Sequence, residues 1–272
     1  MKRNLFFLFA VLATTFASAT VTSSNTLCWI KVNNTCTNVV ISTALVDVGL
    51  PATSSIDVSN FILTKNLHVG DSLTKKVWSA ESERWSRQGW AVVNAGTDAA
   101  PNLVWQATGV TDGNYQFAAA DSGALAVANA FVLHRSDPVA SNPIYIRGQV
   151  ECAVARTQTA TEQVTLMANA GLTDVDIASI PWTTAPANGD KIRFLTDNAG
   201  TGTVDYTWTT PDGGSSACWC TNIVSEVSTP FGSTYTETPT AASGVTVPVG
   251  QGFYFTRKST SGAAPSITWS VD

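Results

Sequence analysis

Hydrophobic and polar positions alternate along much of this chain with a period of two residues. A period of two places apolar side chains on one face of a β-strand and polar side chains on the other, so these segments predict half-buried strands. The alternating sets are Val245, Val247 and Val249; Val204, Tyr206 and Trp208; Ile267, Trp269 and Val271; and Ile144 with Ile146.

Turn-forming residues separate these segments, as at Asp212-Gly213-Gly214. Only Thr74 to Arg87 has a competing helical pattern, with Trp78 and Trp85 seven residues apart. We predict a hairpin there, turning at Ser79 to Ser82, because a similar hairpin is predicted in the second half of the chain. The sequence therefore predicts an all-β protein.

Segments of the first half recur in the second half, in the same order and at offsets of 119 to 123 residues. Four anchors in one order rarely arise by chance and indicate a tandem duplication. The anchors are Gly49-Leu50 with Gly171-Leu172, Gly70-Asp71 with Gly189-Asp190, Phe131 to Arg135 with Phe253 to Arg257, and Ile144-Tyr145-Ile146 with Ile267-Thr268-Trp269.

The duplication predicts two similar antiparallel β domains in tandem, each sandwich-like or barrel-like. Residues 20–152 form the first predicted domain and residues 153–272 the second. Each copy has about 110 to 120 residues, which is long enough to bury its own core. The connector, residues 153–163 (AVARTQTATEQ), is predicted to continue as a strand.

Residues 1–19 have the pattern of a signal peptide. Lys2 and Arg3 precede the apolar run from Leu5 to Phe16, and Ala17-Ser18-Ala19 offers a cleavage site. The run of about 12 residues is too short to span a bilayer, so no membrane insertion is expected. We expect the mature chain to be secreted, outside the cell or at the cell surface, with the periplasm as an alternative.

The charge balance bears on possible partners. The chain of 272 residues has 15 Lys and Arg against 20 Asp and Glu, a net charge of −5, and loss of Lys2 and Arg3 with the leader changes it to −7. An acidic chain without a basic run argues against nucleic acid as a partner. Charged residues make up 13% of the chain, about half the usual share. A surface of small polar residues suits packing against copies of itself or against sugars, and is also common in exported β proteins.

The end of the second copy supports a resemblance. The stretch from Val247 to Phe253 (VPVGQGF), followed by Arg257, resembles a set of exported bacterial β-rich proteins of unknown function that close with PxGQGFxxxR. The resemblance covers most of residues 160–272 and, with losses, 39–150, where Val127 to Ala130 replaces the Pro-Gly-Gln-Gly stretch. It implies a β architecture and export, and no activity.

The five cysteines predict disulfides in an exported protein. An odd number allows two bridges and one further thiol. Our preferred pairing joins Cys28 to Cys36, and Cys152 to either Cys218 or Cys220, although other arrangements stay open. If Cys218 and Cys220 share one face of a strand, their Cα atoms lie about 7 Å apart, which is awkward for a direct bond.

The repeated strands that begin at Phe131 and Phe253 are predicted to enter the core of each half. Arg135 and Arg257 follow them, and we expect their stems to lie on apolar surface with the guanidinium in water, with a paired anion clamp as the alternative. The two Gly-Asp pairs are interpreted as turns that lead into strands.

Evidence for an active site is weak. His68 and His134 are isolated, and there is no CxxC pair, so we expect neither a metal site nor a cofactor. His134 is interpreted as a surface residue of a strand. Two acid pairs, Glu81 with Glu83 and Asp174 with Asp176, could supply the two carboxylates of a glycosidase, but solvated surface is the favoured interpretation.

Tryptophan is the enriched residue with the clearest functional potential, with nine in the chain. Exposed tryptophans stack on sugar rings or anchor protein interfaces. Trp208, Trp219 and Trp269 alternate with other apolar residues and are expected in the core. The candidate ligand-binding cluster lies in the first half and consists of Trp78, Trp85, Trp90 and Trp105.

These features favour a non-enzymatic exported structural or cell-surface protein. It would act through self-association or through contacts with the cell envelope or matrix, so the expected partners are further copies of the chain or a cell-surface polysaccharide. The first alternative is a glycan-binding module that uses the tryptophan cluster. The second is a polysaccharide-degrading enzyme that uses an acid pair.

Overall fold

The computed structural model describes residues 26–32, 36–42, 55–57, 62, 66–79, 84–111, 114–117, 124–126, 130–137, 143–150, 154–195, 203–229 and 232–271. Within these ranges the chain forms 21 strands, which pair antiparallel, and the short 3-10 helix Ile177–Ser179. The all-β prediction is confirmed. None of the helical structure in these ranges is long and apolar enough to cross a membrane.

The first half is built on a six-stranded sheet in the order β2-β9-β4-β5-β6-β7. Strands β1 and β10 form a separate pair, and so do β3 and β8. The strands are β1 (Thr26–Val32), β2 (Asn38–Ser42), β3 (Ser55–Asp57), β4 (Ser72–Ser79), β5 (Arg84–Asn94), β6 (Leu103–Thr111), β7 (Asn114–Phe117), β8 (Ala124–Ala126), β9 (Ala130–His134) and β10 (Ile144–Val150).

The second half has its own six-stranded sheet, in the order β12-β20-β15-β16-β17-β18. Strands β11, β21 and β14 form a smaller sheet in that order, and β13 pairs with β19. The strands are β11 (Val154–Thr159), β12 (Val164–Ala168), β13 (Val175–Asp176), β14 (Trp182–Thr184), β15 (Lys191–Leu195), β16 (Thr203–Thr209), β17 (Cys218–Thr229), β18 (Gly232–Ala241), β19 (Thr246–Val247), β20 (Gly252–Thr256) and β21 (Ser266–Val271).

The two six-stranded sheets have equivalent strand orders. Strands β2, β9, β4, β5, β6 and β7 correspond in place to β12, β20, β15, β16, β17 and β18, and the pairs β1–β10 and β3–β8 correspond to β11–β21 and β13–β19. Even β14, where Trp182 lies opposite Ile267, has a counterpart in the bridge between Ile62 and Ile146. This equivalence supports the tandem duplication and the two-domain division, which stay predictions.

The hairpin predicted over Thr74 to Arg87 is confirmed by the pairing of β4 with β5. Trp78 lies opposite Trp85 and Ser79 opposite Arg84, so Ser79, which was expected to begin the turn, is the last residue of β4. Residues 80–83 lie outside the described ranges. The two tryptophans are therefore cross-strand neighbours rather than residues on one helix face.

Each half has its own hydrophobic core, and the repeated strands β9 and β20 supply central residues to both. Phe131 and Leu133 are buried in the first core, and Phe253 and Phe255 are buried in the second. Burial of one such side chain contributes about 1.5–3 kcal/mol. The prediction that these strands enter the cores is confirmed.

The two halves are in contact through β2 and the chain around β12 and β20. The backbone N–H of Ser42 donates to the carbonyl of Gly250 (2.9 Å), and the Ser42 hydroxyl donates to the carbonyl of Asn169 (2.8 Å). Val40, Ala130 and Ala168 form a buried apolar cluster between the sheets. Residues 154–159 of the predicted connector form strand β11, which pairs with β21, whereas residues 160–163 are not in a strand.

Candidate functional site

The four tryptophans of the predicted binding cluster do not form one exposed surface. Trp90 and Trp105 are only 8% and 3% exposed and belong to the first core. Trp90 packs edge-on against Phe131, and the Trp105 indole N–H donates to the carbonyl of Ile62 (3.0 Å). The expectation is wrong for these two residues because both side chains point to the inner face of the sheet. The side chains of Trp78 and Trp85 lie outside what the structure describes.

The exposed tryptophan that the structure describes is Trp29, 56% exposed on β1. It lies opposite Arg147, and Lys31 on the same face lies opposite Tyr145. The alternation of the sequence in this strand indicates the exposure of Trp29, because Ile30 and Val32 are buried while Trp29 and Lys31 face outwards. Sequence reasoning missed this residue by looking for a cluster of tryptophans.

The tryptophans expected in the second core are found there. Trp219 and Trp269 are buried, and Trp208 packs partly buried against them. Trp219 and Trp208 meet edge-on with their ring centroids 5.1 Å apart.

The two strand-end arginines are buried, so the expectation of a wet guanidinium is wrong for both Arg135 and Arg257. Neighbouring loops wrap the guanidinium and offer it backbone carbonyls. Arg257 Nη1 donates to the carbonyls of Ala160 (3.4 Å) and Thr161 (3.3 Å), and Nη2 donates to those of Gly262 and Ala263 (both 3.3 Å).

Arg135 Nη2 donates to the carbonyl of Asn66 (3.1 Å). Burial lowers the pKa of the Arg135 guanidinium, while the nearby carboxylates of Asp71 and Asp137 act in the opposite direction. Arg135 Nε and Nη1 are buried with no hydrogen-bond partner among the described residues, so the one carbonyl contact and the two nearby carboxylates are what offset the burial of this charge.

The two Gly-Asp pairs form turns that lead into strands, as predicted. Asp71 and Asp190 are buried, and each accepts backbone N–H groups with both carboxylate oxygens. Asp71 Oδ2 accepts from the N–H of His68 (2.9 Å), and Oδ1 accepts from the N–H (2.7 Å) and hydroxyl (2.8 Å) of Ser136. Asp190 accepts from the N–H groups of Ala187 and Lys258, both at 2.8 Å.

The carboxylates of the acid pair Asp174 and Asp176 accept hydrogen bonds from backbone N–H groups. Asp174 Oδ1 accepts from the N–H of Val249 (2.8 Å), and Asp176 Oδ1 accepts from the N–H of Ala178 (2.8 Å) to cap the 3-10 helix. Glu81 and Glu83 lie outside the described residues. His134 is exposed, as expected, with Nδ1 3.0 Å from Oδ1 of Asn38.

No two of the described cysteine side chains are joined by a disulfide, and the pairings of Cys28 with Cys36 and of Cys152 with Cys218 or Cys220 stay predictions. The side chain of Cys28 and all of Cys152 lie outside the described part of the chain. The Sγ atoms of Cys218 and Cys220 are 3.7 Å apart on β17. Burial raises the pKa of the Cys220 thiol to about 11, helped by the hydrogen bond and charge of Cys218.

A cleft of about 400 Å³ lies over the outward face of the second sheet. Its exposed cationic side chains come from Lys191 and Arg193 on β15 and from Lys258, which follows β20. Arg193 donates from Nε and Nη2 to the two oxygens of Asp205, both at 2.7 Å. This pairing lowers the pKa of Asp205 and raises that of Arg193. The remaining lining residues are Gln163, Val164, Gly189, Thr256 and Arg257.

The same positions of the first half carry hydroxyl side chains. Strands β4 and β15 begin at equivalent places after their Gly-Asp turns, which aligns Lys191 with Ser72 and Arg193 with Thr74. Lys258 aligns with Ser136, because the N–H of each binds the buried aspartate of its own half. The cationic cleft is therefore a property of the second half that the repeat pattern in sequence did not reveal.

In the part of the chain that the structure describes, no group of three His, Cys, Asp or Glu side chains is placed to hold a metal ion. No protein-family model, curated protein or solved structure matches the chain.

Proposed function

We propose that this chain is a non-enzymatic exported structural or cell-surface protein that works through strand-to-strand contacts with other copies of itself. The observation that carries the proposal is the placement of the sheet edges. Strands β2 and β12 are the inner edges and contact each other, so β7 and β18 end the two sheets on the far sides. A terminal strand offers N–H and C=O groups to a further strand.

Strand β18 is the stronger of these two edges. It runs for 10 residues, Gly232–Ala241, against 4 residues for β7. The Pro239 carbonyl accepts from the N–H of Asp212 in the loop after β16, so the backbone groups of Pro239 point away from β17. Because these groups alternate along an antiparallel strand, those of Tyr235 and Ser233 also point outwards. Pro239 itself fits an edge strand, since its missing N–H faces away from the ladder.

Pairing of β18 on one copy with β7 on the next uses two different surfaces. Such a contact repeats without closing and builds an open chain of copies. Only 13% of the residues are charged, which favours this assembly because neighbouring copies repel each other weakly. Export, which the leader predicts, would place the assembly outside the cell or at its surface.

Removal of one outward N–H from β18 tests the proposal. We expect the mature wild-type chain to form oligomers that grow with concentration, and Tyr235→Pro to stay monomeric in analytical ultracentrifugation. Tyr235→Ala is the matched control, since it also removes the ring and keeps the N–H. The proposal is wrong if the wild-type chain is monomeric at high concentration, or if the proline and alanine variants assemble alike. Far-UV circular dichroism of both variants checks that the fold is kept.

The two alternatives have less support. A glycan site made of all four first-half tryptophans is not available, because Trp90 and Trp105 are core residues. A glycosidase that uses Asp174 and Asp176 would need carboxylates that face a substrate, whereas each of these accepts a backbone N–H.

A further inference from the structure

We propose that the cleft on the second sheet binds an acidic polysaccharide, through carboxylate or sulfate groups on its sugar residues. The first observation is the concentration of charge. Lys191, Arg193 and Lys258 line one cleft of a protein whose net charge is −5. Asp205 is the carboxylate among the lining residues, and it is held by Arg193. Among the exposed side chains of the cleft the net charge is therefore about +2, carried by the ammonium groups of Lys191 and Lys258. The buried Arg257, whose guanidinium donates to backbone carbonyls, adds one further cation.

The strand geometry brings these cations together. Lys191 and Arg193 alternate with the buried Ile192, so both project from the outward face of β15. Thr256 of β20 lies opposite Lys191, and Lys258 follows two residues later. Three side chains from two neighbouring strands therefore surround one space, which suits a ligand with more than one anionic group.

The backbone around Lys258 is shaped for this side chain. Its N–H donates to the buried carboxylate of Asp190 (2.8 Å), which fixes the start of the side chain. A Cβ on Gly189 would come within 2.5 Å of Lys258 Cδ, so the glycine gives the lysine stem its place. The equivalent Gly70 of the first half has open space there and no lysine. The lysine stem therefore passes over Gly189 at the wall of the cleft, an arrangement that the first half does not have.

The size and the uncharged lining favour a sugar chain as the ligand. A cleft of about 400 Å³ is at the small end of ligand sites and holds one or two sugar residues of a longer chain. Gln163 and Thr256 supply an amide and a hydroxyl for sugar hydroxyl groups. Nucleic acid needs a longer basic track with aromatic stacking platforms, and three exposed cations beside one carboxylate do not supply that track. This inference is independent of the self-association proposed above.

Calorimetric titration of the mature chain tests the inference. The probes are polygalacturonate for carboxylates, dextran sulfate for sulfates, neutral dextran, and a single-stranded oligonucleotide. We expect binding to one or both acidic polysaccharides that weakens with salt, and no binding to neutral dextran. The inference is wrong if neither acidic polymer binds, or if the oligonucleotide binds as tightly as they do.

Variants then place the binding in the cleft. The combination of Lys191→Ser, Arg193→Thr and Lys258→Ser installs the residues that the first half already folds with, and we expect at least a roughly tenfold loss of affinity. Lys258→Ser alone is compared with Lys31→Ser, which removes one exposed lysine from β1. Equal losses from these two single variants would show that net charge, and not the cleft, drives binding, and would overturn the inference.

A pair of glycine variants gives a test that keeps every charge. Gly189→Ala and Gly70→Ala impose the same backbone strain, since both residues have positive φ (93° and 95°). Only Gly189→Ala displaces Lys258. We expect weaker polysaccharide binding for Gly189→Ala alone, and unchanged affinity in both variants would contradict the role given to Lys258. Asp205→Asn should strengthen binding, because it removes the competing carboxylate.

Discussion

Cys220 illustrates how burial controls the chemistry of a single residue in this protein. Its sulfur is within hydrogen-bond distance of the carbonyls of Thr209 (3.5 Å) and Cys218 (3.6 Å), and its side chain is buried at the start of β17. Cys218, two residues earlier, is partly exposed. Removal of water from around Cys220 disfavours its thiolate, which is the reactive form of cysteine.

We predict that Cys220 of the reduced protein reacts with iodoacetamide far more slowly than Cys218. With a pKa of about 11, about one Cys220 in a thousand is a thiolate at pH 8. Its alkylation rate should rise about tenfold for each pH unit until the pH approaches the pKa. Tandem mass spectrometry of the peptide that contains both residues measures the two rates.

Unfolding in urea provides the control for this prediction, because it should bring the two alkylation rates together. Equal rates for Cys218 and Cys220 in the folded protein would contradict the prediction.

At the scale of elements, Asp71 and Asp190 join a turn to the end of a neighbouring strand. Each binds the turn that leads into β4 or β15 and also the first residues after β9 or β20. The same arrangement in both halves holds the adjacent strands β4 and β9, or β15 and β20, in register.

We predict that Asp71→Asn and Asp190→Asn each lower the free energy of unfolding by about 1–3 kcal/mol, because an amide nitrogen would face a buried N–H donor. The loss should be larger for Asp71, which accepts three hydrogen bonds against two for Asp190. Urea unfolding monitored by tryptophan fluorescence measures both.

Asp174→Asn is the matched control, since its carboxylate accepts its backbone N–H at an exposed position. A loss at Asp174 as large as at Asp190 would contradict the importance given to burial.

Local patterns in the sequence were sufficient to predict the strands and several of the core residues. Alternation placed Phe131 and Phe253 in the cores, and the repeat resolved the Trp78 to Trp85 segment in favour of a hairpin. The burial of Arg135 and Arg257 could not be predicted in this way, because the carbonyls that surround Arg257 come from residues up to 97 positions away. The burial of Trp90 could not be predicted either, because closeness to other tryptophans in sequence does not show which face of the sheet a side chain takes.

The cationic cleft could not be predicted from the sequence for a related reason. Lys191 and Arg193 are close in sequence, but Lys258 joins them only because β20 lies beside β15 in the sheet. The anchors that revealed the repeat were its shared residues, whereas the cleft consists of positions at which the two copies differ.

At the scale of the whole molecule, the contact between the halves depends on Gly250. This residue has a positive φ of 78°, and its carbonyl accepts from the N–H of Ser42 in the first half. A Cβ at this position would come within 2.5 Å of Ile30 Cγ2. Gly250 therefore allows the turn before β20 to lie directly against the first core.

We predict that Gly250→Ala lowers the melting temperature more than Gly244→Ala and weakens the cooperation between the halves, so that calorimetry resolves two transitions. Both glycines have positive φ, but a Cβ on Gly244 would meet open space. The common backbone strain of about 1–2 kcal/mol therefore cancels in the comparison. Equal melting temperatures with a single transition in both variants would contradict the prediction.

In each half the first strand is paired with the last strand, so the two ends of the half lie next to each other. In the first half β1 is hydrogen-bonded to β10, and in the second half β11 is hydrogen-bonded to β21. Because these partners are antiparallel, Thr26 lies opposite Val150 and Val154 lies opposite Val271. A short peptide could therefore connect the two ends of either half. Each half should tolerate circular permutation, in which the old ends are joined and new termini are introduced in a loop. For the same reason, either half could be inserted into a loop of another protein with only short linkers.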